Sequence, residues 1–159
     1  MIQKKKGEPY SDALVRDFSH PLFQTAFRQY FGELGRNVGD WDGLFREMNG
    51  EDGNAAFVRT DEDGSVIGFI QFRPTTFTSW FFEETCGFIR EFWVADGHRN
   101  RGHGAALLGL AERHFLENGI YTSILTTDTA PRFYVRHGYI PAPGCRAKNH
   151  DDVFVKHLG

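Results

Sequence analysis

Cysteine is nearly absent from this chain, with only Cys86 and Cys145 in 159 residues. Two thiols cannot build a disulfide framework, and neither belongs to a CxxC or a paired Cys/His array, so a reducing, cytoplasmic setting is expected. Both read as inert buried thiols. A basic excess is missing too: 18 Lys and Arg stand against 21 Asp and Glu, a formal net charge of −3. That balance argues against a nucleic-acid partner, and Lys4, Lys5 and Lys6 form only a short basic run. Nowhere do about 18 apolar residues follow one another, and the stretch after Met1 is polar, which excludes an apolar signal core and predicts no membrane partner. Repeats, low-complexity segments and linkers are also missing, so residues 1–159 read as one domain. A chain of this length buries roughly 70% of its unfolded surface and needs no staple.

What is present is a change of hydrophobic period along the chain. Leu14, Phe18, Leu22, Phe23, Phe27 and Tyr30 fall three and four apart, which predicts two helical pieces separated at His20-Pro21. Trp41, Leu44, Phe45 and Met48 predict a short third helix ending at Asn49-Gly50. From Ala56 the pattern turns β-rich: 56–60 and 66–72 flank Asp61-Glu62-Asp63-Gly64 as an antiparallel hairpin, and 88–94 is a further strand. Arg90 and Glu91 inside that strand imply that it borders solvent or a site. A helix from Ala105 to Leu116 ends at Asn118-Gly119, and 121–127 is a strand. A short helix opens at Pro131 and stops at Gly138, and Tyr139-Ile140 and 153–155 complete the sheet. The order predicts a mixed α+β domain with a partly parallel centre.

The chemistry concentrates between Val94 and Leu108, where a strand leads through a basic, glycine-bearing loop into a helix. Free N–H groups at a helix N-terminus, with the helix dipole and glycines that admit close approach, suit a pyrophosphate. Gly97 and Gly102 have the P-loop spacing, but His103-Gly104 follows where Lys and Ser/Thr are needed. A dinucleotide fingerprint fails because Leu107 stands at its third glycine. His98 and His103 lack a third ligand of suitable spacing, so no metal is expected.

The pattern that fits is [Q/R]-x-x-G-x-[G/A], filled by Arg99, Gly102 and Gly104. Downstream, Ala130, Phe133, Tyr134, Gly138 and Tyr139 fill A-x-x-F-Y-x-x-x-G-[F/Y]. With these two motifs the sequence resembles the GNAT superfamily of N-acyltransferases from about Asn54 to its C-terminus. The resemblance implies a mixed, largely antiparallel central sheet with a parallel, splayed pair at its centre and helices on both faces. It further implies acetyl-CoA as co-substrate, held by Phe92, Trp93 and Val94 on the strand and by Arg99, Asn100, Arg101, Gly102, His103, Gly104 and Ala105 around the loop. The resemblance also implies cofactor contacts for Ala130 and Phe133 of the second motif and for Thr127, which stands where many members carry Asn. It allows a homodimer.

Acyl transfer to an amine needs a neutral nucleophile, whereas an alkyl amine of pKa ~10.4 is protonated at neutral pH. Glu91 is the leading base, with Glu83 and Glu84 as substitutes. The resemblance gives Tyr134 the protonation of the departing thiolate. Val94 N–H is placed to polarise the thioester oxygen. Trp80 and Phe81 with Glu83 and Glu84 offer aromatic walls and carboxylates for a cationic acceptor. A polyamine, an amino sugar, an amino acid and a peptide amine all remain open. The alternative is a non-catalytic acyl-CoA sensor or partner-binding module of the same fold.

Overall fold

The computed structural model describes residues 2–3 and 9–159; the Lys4–Lys6 run lies outside them. The elements are β1 (Ile2–Gln3), β2 (Tyr10–Val15), α1 (Pro21–Glu33), α2 (Trp41–Asn49), β3 (Ala55–Asp61), β4 (Val66–Thr78), β5 (Glu83–Val94), α3 (His103–Glu117), β6 (Thr122–Thr127), α4 (Pro131–Arg136), β7 (Ile140–Pro141) and β8 (Asp152–His157). One sheet runs β1-β2-β3-β4-β5-β6-β8-β7. Its neighbours are antiparallel except β5 and β6, which pair in parallel only at Gly87↔Ser123 and Phe88↔Ile124. Beyond those pairs the two strands part, while β5 continues to Val94 and β6 to Thr127. The splayed central pair expected from the resemblance is therefore present.

Alternation along the strands divides the core in two. On β3, Ala55 and Phe57 face α3 with Leu107, Leu108, Ala111 and Phe115, whereas Ala56 and Val58 face α1 and α2 with Phe23, Phe27 and Phe45. Helices thus cover both faces. Gly87 makes one close approach possible, because a Cβ there would meet the Phe115 ring at 2.5 Å.

Three expectations change. The first helical piece is strand β2, paired with β3 from Tyr10↔Asp61 to Val15↔Ala56. Its four-residue spacing is incidental: Ala13 and Val15 alternate inward, and Phe18 follows the strand in a turn. The acidic and aromatic segment between the strands is itself paired, from Arg73↔Phe88 to Thr78↔Glu83, so β4 and β5 form one long hairpin that turns at Ser79–Phe82. Cys86 is buried, but Cys145 is exposed. Cys145 follows Pro143-Gly144 in the irregular loop between β7 and β8.

Candidate active site

A cleft of about 620 Å³ opens where β5 and β6 separate. Its strand wall is Phe92, Trp93 and Val94. Ala95 N–H donates to Ile67 on β4 at 2.7 Å. Because successive N–H groups of a strand point to opposite edges, Val94 N–H is directed at the splay. A bulge between the Ile70↔Phe92 and Phe72↔Ile89 pairs re-aims this half of β5. Phe92 and Val94 consequently face α3, while Glu91 and Trp93 face α1.

The second wall is the start of α3. Gly102 is its N-cap at φ 86°, a left-handed conformation that glycine adopts without a Cβ penalty, and no side chain caps the helix. The first intrahelical bond is Ala106 N to Gly102 O. The N–H groups of His103, Gly104 and Ala105 have no acceptor in the helix and form an anion cradle at the cleft wall. Arg99 builds this loop: Nε donates to Val94 O at 2.9 Å, and Nη2 reaches Glu33 of α1 at 2.8 Å. Arg99, Asn100, Gly102, His103, Gly104 and Ala105 line the cleft, whereas Arg101 is exposed beside it.

His103 is fixed from behind. Arg59 is paired with Asp12 at 2.7 and 2.9 Å, lies 4.1 Å from the Tyr10 ring centroid, and presents Nη1 to His103 Nδ1 at 3.1 Å. A guanidinium only donates, so Nδ1 accepts and the imidazole carries its proton on Nε2. Burial, followed by the Arg59 charge, holds the His103 pKa below the ordinary histidine value.

Helix α4 closes the third side with Ala130, Phe133, Tyr134, Arg136 and His137. Tyr134 is 8% exposed, and its hydroxyl makes no hydrogen bond to any described residue. Burial pushes the phenol up to about 12. Thr127 is not a cleft wall: its hydroxyl accepts from Ala130 N at 3.1 Å and Thr129 N at 3.3 Å, closing the turn into α4.

Across the sheet, Glu91 accepts a 2.6 Å hydrogen bond from Tyr30 of α1. Nearby, Glu51 holds Arg90 and Arg73, each at 2.8 Å. On this face a second cavity, of about 930 Å³, lies over β5, β6 and β8, with the 142–149 loop on its rim. Glu84 lines it, together with Phe77, Phe82 and Phe88; Trp80, Phe81 and Glu83 do not. The hairpin tip stands some 20 Å along β5 from the splay, so the structure does not bring Trp80 and Phe81 to the cleft. His98 lines the cleft beside His103, and Tyr30, Arg136 and His137 join the site without a motif to mark them. The i,i+3 step from Phe133 to Arg136 on α4 was available, but the Tyr30 contact spans 61 residues and left no local signal.

Among the described residues no three His, Cys, Asp or Glu side chains gather as a metal site would need, and no helix is long and apolar enough to cross a membrane.

Solved structures share the fold. One assigned as an N-acetyltransferase from Lactobacillus plantarum superposes with TM-score 0.70 at 16% identity, covering 96% of this chain and 100% of its own. A GNAT-family acetyltransferase from Staphylococcus aureus gives 0.66 at 14% identity, covering 93% and 99%. Arabidopsis thaliana NAA60, in complex with a bisubstrate analogue, gives 0.67 at 15% identity, covering 93% and 99%. No curated protein sequence matches significantly. The sequence itself matches the acetyltransferase (GNAT) family over residues 14–139, a span that includes the splayed strands, the uncapped helix and α4. The chain is a member of the GNAT acetyltransferase family.

Proposed function

We propose that the protein is an N-acetyltransferase that moves an acetyl group from acetyl-CoA to a primary amine, with both substrates bound at once. The observation that carries this reading is the cleft itself. An open strand edge, an uncapped helix N-terminus and a tyrosine without a hydrogen-bond partner among the described residues meet at the only parallel pair of the described sheet.

The residues fit the cofactor. Gly102 to Ala105 would hold its pyrophosphate through backbone N–H groups, with the His103 Nε2 proton beside them. Phe92 to Val94 would pair with its amide arm, and Ala130 and Phe133 would wall it. Bound acetyl-CoA supplies an activated acetyl thioester. Arg99 shapes the loop through Nε to Val94 O and Nη2 to Glu33, and its remaining N–H groups lie at the cleft wall where they would add charge beside the pyrophosphate.

Glu91 is the base. Tyr30 holds Oε2, leaving Oε1 without a hydrogen bond from a described residue to take the amine proton, directly or through water. Val94 N–H stabilises negative charge on the acyl oxygen. Tyr134 is a neutral donor throughout the physiological range. Full transfer from a phenol near 12 to a thiolate whose conjugate acid is near ~8.5 is uphill by several kcal/mol, so Tyr134 acts first as a hydrogen-bond donor to the departing sulfur. Holding the two reactants in line supplies much of the remaining acceleration.

The test is release of free thiol from acetyl-CoA in the presence of a diamine, an amino sugar, an amino acid or a lysine peptide, with acetylated product identified by mass. Product with at least one amine class supports the reading. Tight acetyl-CoA binding with no transfer to any class favours the non-catalytic sensor.

A further inference from the structure

The second cavity and the cleft open on the same parting of the sheet, from opposite faces. Phe88 and Ile124 are the last residues that pair β5 with β6, and both line the second cavity. Thr126, two residues further along β6, lines it too, level with Arg90 on β5 and one residue short of Glu91. Side-chain alternation puts Phe88, Ile124 and Thr126 on the face where Glu91 meets Tyr30, whereas Phe92 and Val94 look into the cleft. An acceptor lying in the cavity would present its amine to Glu91 at the parting. The lining sets the rest of its chemistry. Phe88 and Ile124 are followed outward by Val155 on β8 and by Phe77 and Phe82 on the hairpin arm. Glu84 is the one carboxylate of the lining; it lies four residues from Phe88, about 13 Å along the strand, and accepts from the Thr122 hydroxyl at 3.4 Å. Arg146 and Lys148 line the cavity without an ion pair to any described residue, so positive charge exceeds negative.

Building on the acetyltransferase reading, we propose that this cavity seats the acceptor, and that the acceptor is a primary monoamine with an apolar body. A volume of about 930 Å³ is in the range that encloses a small ligand. Sugar hydroxyls laid on Phe88, Ile124 and Val155 would lose water without gaining partners, which disfavours an amino sugar. The second ammonium of a polyamine would enter a lining with two cations and one engaged carboxylate. An alkyl or aryl body meets neither cost. In the transfer itself a nitrogen–carbon bond forms as the carbon–sulfur bond breaks. Of the two protons the ammonium loses, one passes through Glu91 to solvent and the other ends on the coenzyme thiol.

The test compares ethylamine, butylamine, hexylamine, 1,6-hexanediamine and glucosamine. Calorimetry on the CoA-saturated protein gives Kd, and thiol release from acetyl-CoA gives kcat/KM. Along the monoamines each added methylene is expected to lower Kd and raise kcat/KM about 4-fold, the factor that burying one CH₂ supplies. Hexanediamine is expected to bind at least about 10-fold more weakly than hexylamine. Ile124→Thr with Val155→Thr places hydroxyls on the floor and is expected to cut the gain to below about 2-fold per methylene, with the acetyl-CoA rise in Tm retained as the sign of a folded chain. Arg146→Glu with Lys148→Glu, in the exposed 142–149 loop, is expected to bring hexanediamine within about 3-fold of hexylamine. A flat monoamine series, or preference of the parent protein for glucosamine or hexanediamine over hexylamine, overturns the proposal. A steep binding series without acetylation of any amine removes the acetyltransferase reading instead and leaves the ligand class of the cavity standing.

Discussion

Tyr30 and Glu91, 61 residues apart, are joined by a 2.6 Å hydrogen bond from the last turns of α1 to the bulge of β5. This contact ties the N-terminal helices to the strand that forms the cleft, and it orients the carboxylate proposed to deprotonate the acceptor. Glu91→Gln keeps the shape and removes the base. It is expected to lower kcat/KM for the amine by about 10²-fold or more near pH 7. The deficit should shrink toward pH 10, where the acceptor deprotonates unaided. Tyr30→Phe, which leaves the carboxylate in place, should cost less. A pH-independent deficit in Glu91→Gln would assign the residue to structure.

Tyr134→Phe separates catalysis from stability. The hydroxyl has no hydrogen bond to a described residue, so its loss should move Tm by no more than about 1 °C. Turnover should fall about 10²-fold, with acetyl-CoA affinity nearly unchanged. Equal turnover at saturating substrates would remove Tyr134 from the reaction.

Asp12→Ala tests the support behind the phosphate loop. The Arg59 side chain is 6% exposed and sits directly opposite Asp12 in the β2–β3 ladder. Removing the carboxylate strands a buried cation, at a cost of about 3–5 kcal/mol or roughly 6–20 °C in Tm. Replacing both partners by apolar residues, Asp12→Leu with Arg59→Met, should recover most of that loss. Acetyl-CoA affinity should nonetheless stay reduced in the double variant, because His103 loses the donor that fixes its tautomer.

Two histidines set a pH window. Burial, named first in both cases, depresses His103 and His114, with Arg59 adding to the first and Arg16 to the second. A depressed folded-state pKa gives stability that is present above the unfolded value near 6.5 and is lost as pH falls through the lower folded value. Thermal midpoints of the unliganded protein are expected to drop between pH 7 and 5. His114→Gln should flatten that slope, and an unchanged slope would contradict the assignment.

The β3–β4 turn, the α3 boundaries, the α4 start at Pro131 and the phosphate loop were legible because each is written in adjacent residues as period, cap or glycine. Strand β2 was not: Leu14 and Phe18 imitate a helical step, and only pairing with β3, more than 40 residues away, decides the matter. The hairpin arm was hidden for a similar reason, since Thr76, Thr85 and the glutamates carry little apolar alternation and take their strand form from the ladder. Within the site, the backbone parts could be read locally. The bonding of two side chains could not: the Thr127 hydroxyl closes the turn into α4 away from the cleft wall, and Arg99, which lines the cleft, also holds the loop through Val94 O.

The central claim is that the uncapped start of α3 and the open edge of β5 bind acetyl-CoA, and the thermal midpoint with and without this ligand tests it most directly. At a hundredfold excess over Kd, a ligand adds about 2.7 kcal/mol, or roughly 5–10 °C for a chain of this size. A rise of that order with acetyl-CoA, and none with ATP or NAD, is the predicted result. No rise at millimolar acetyl-CoA would contradict the account.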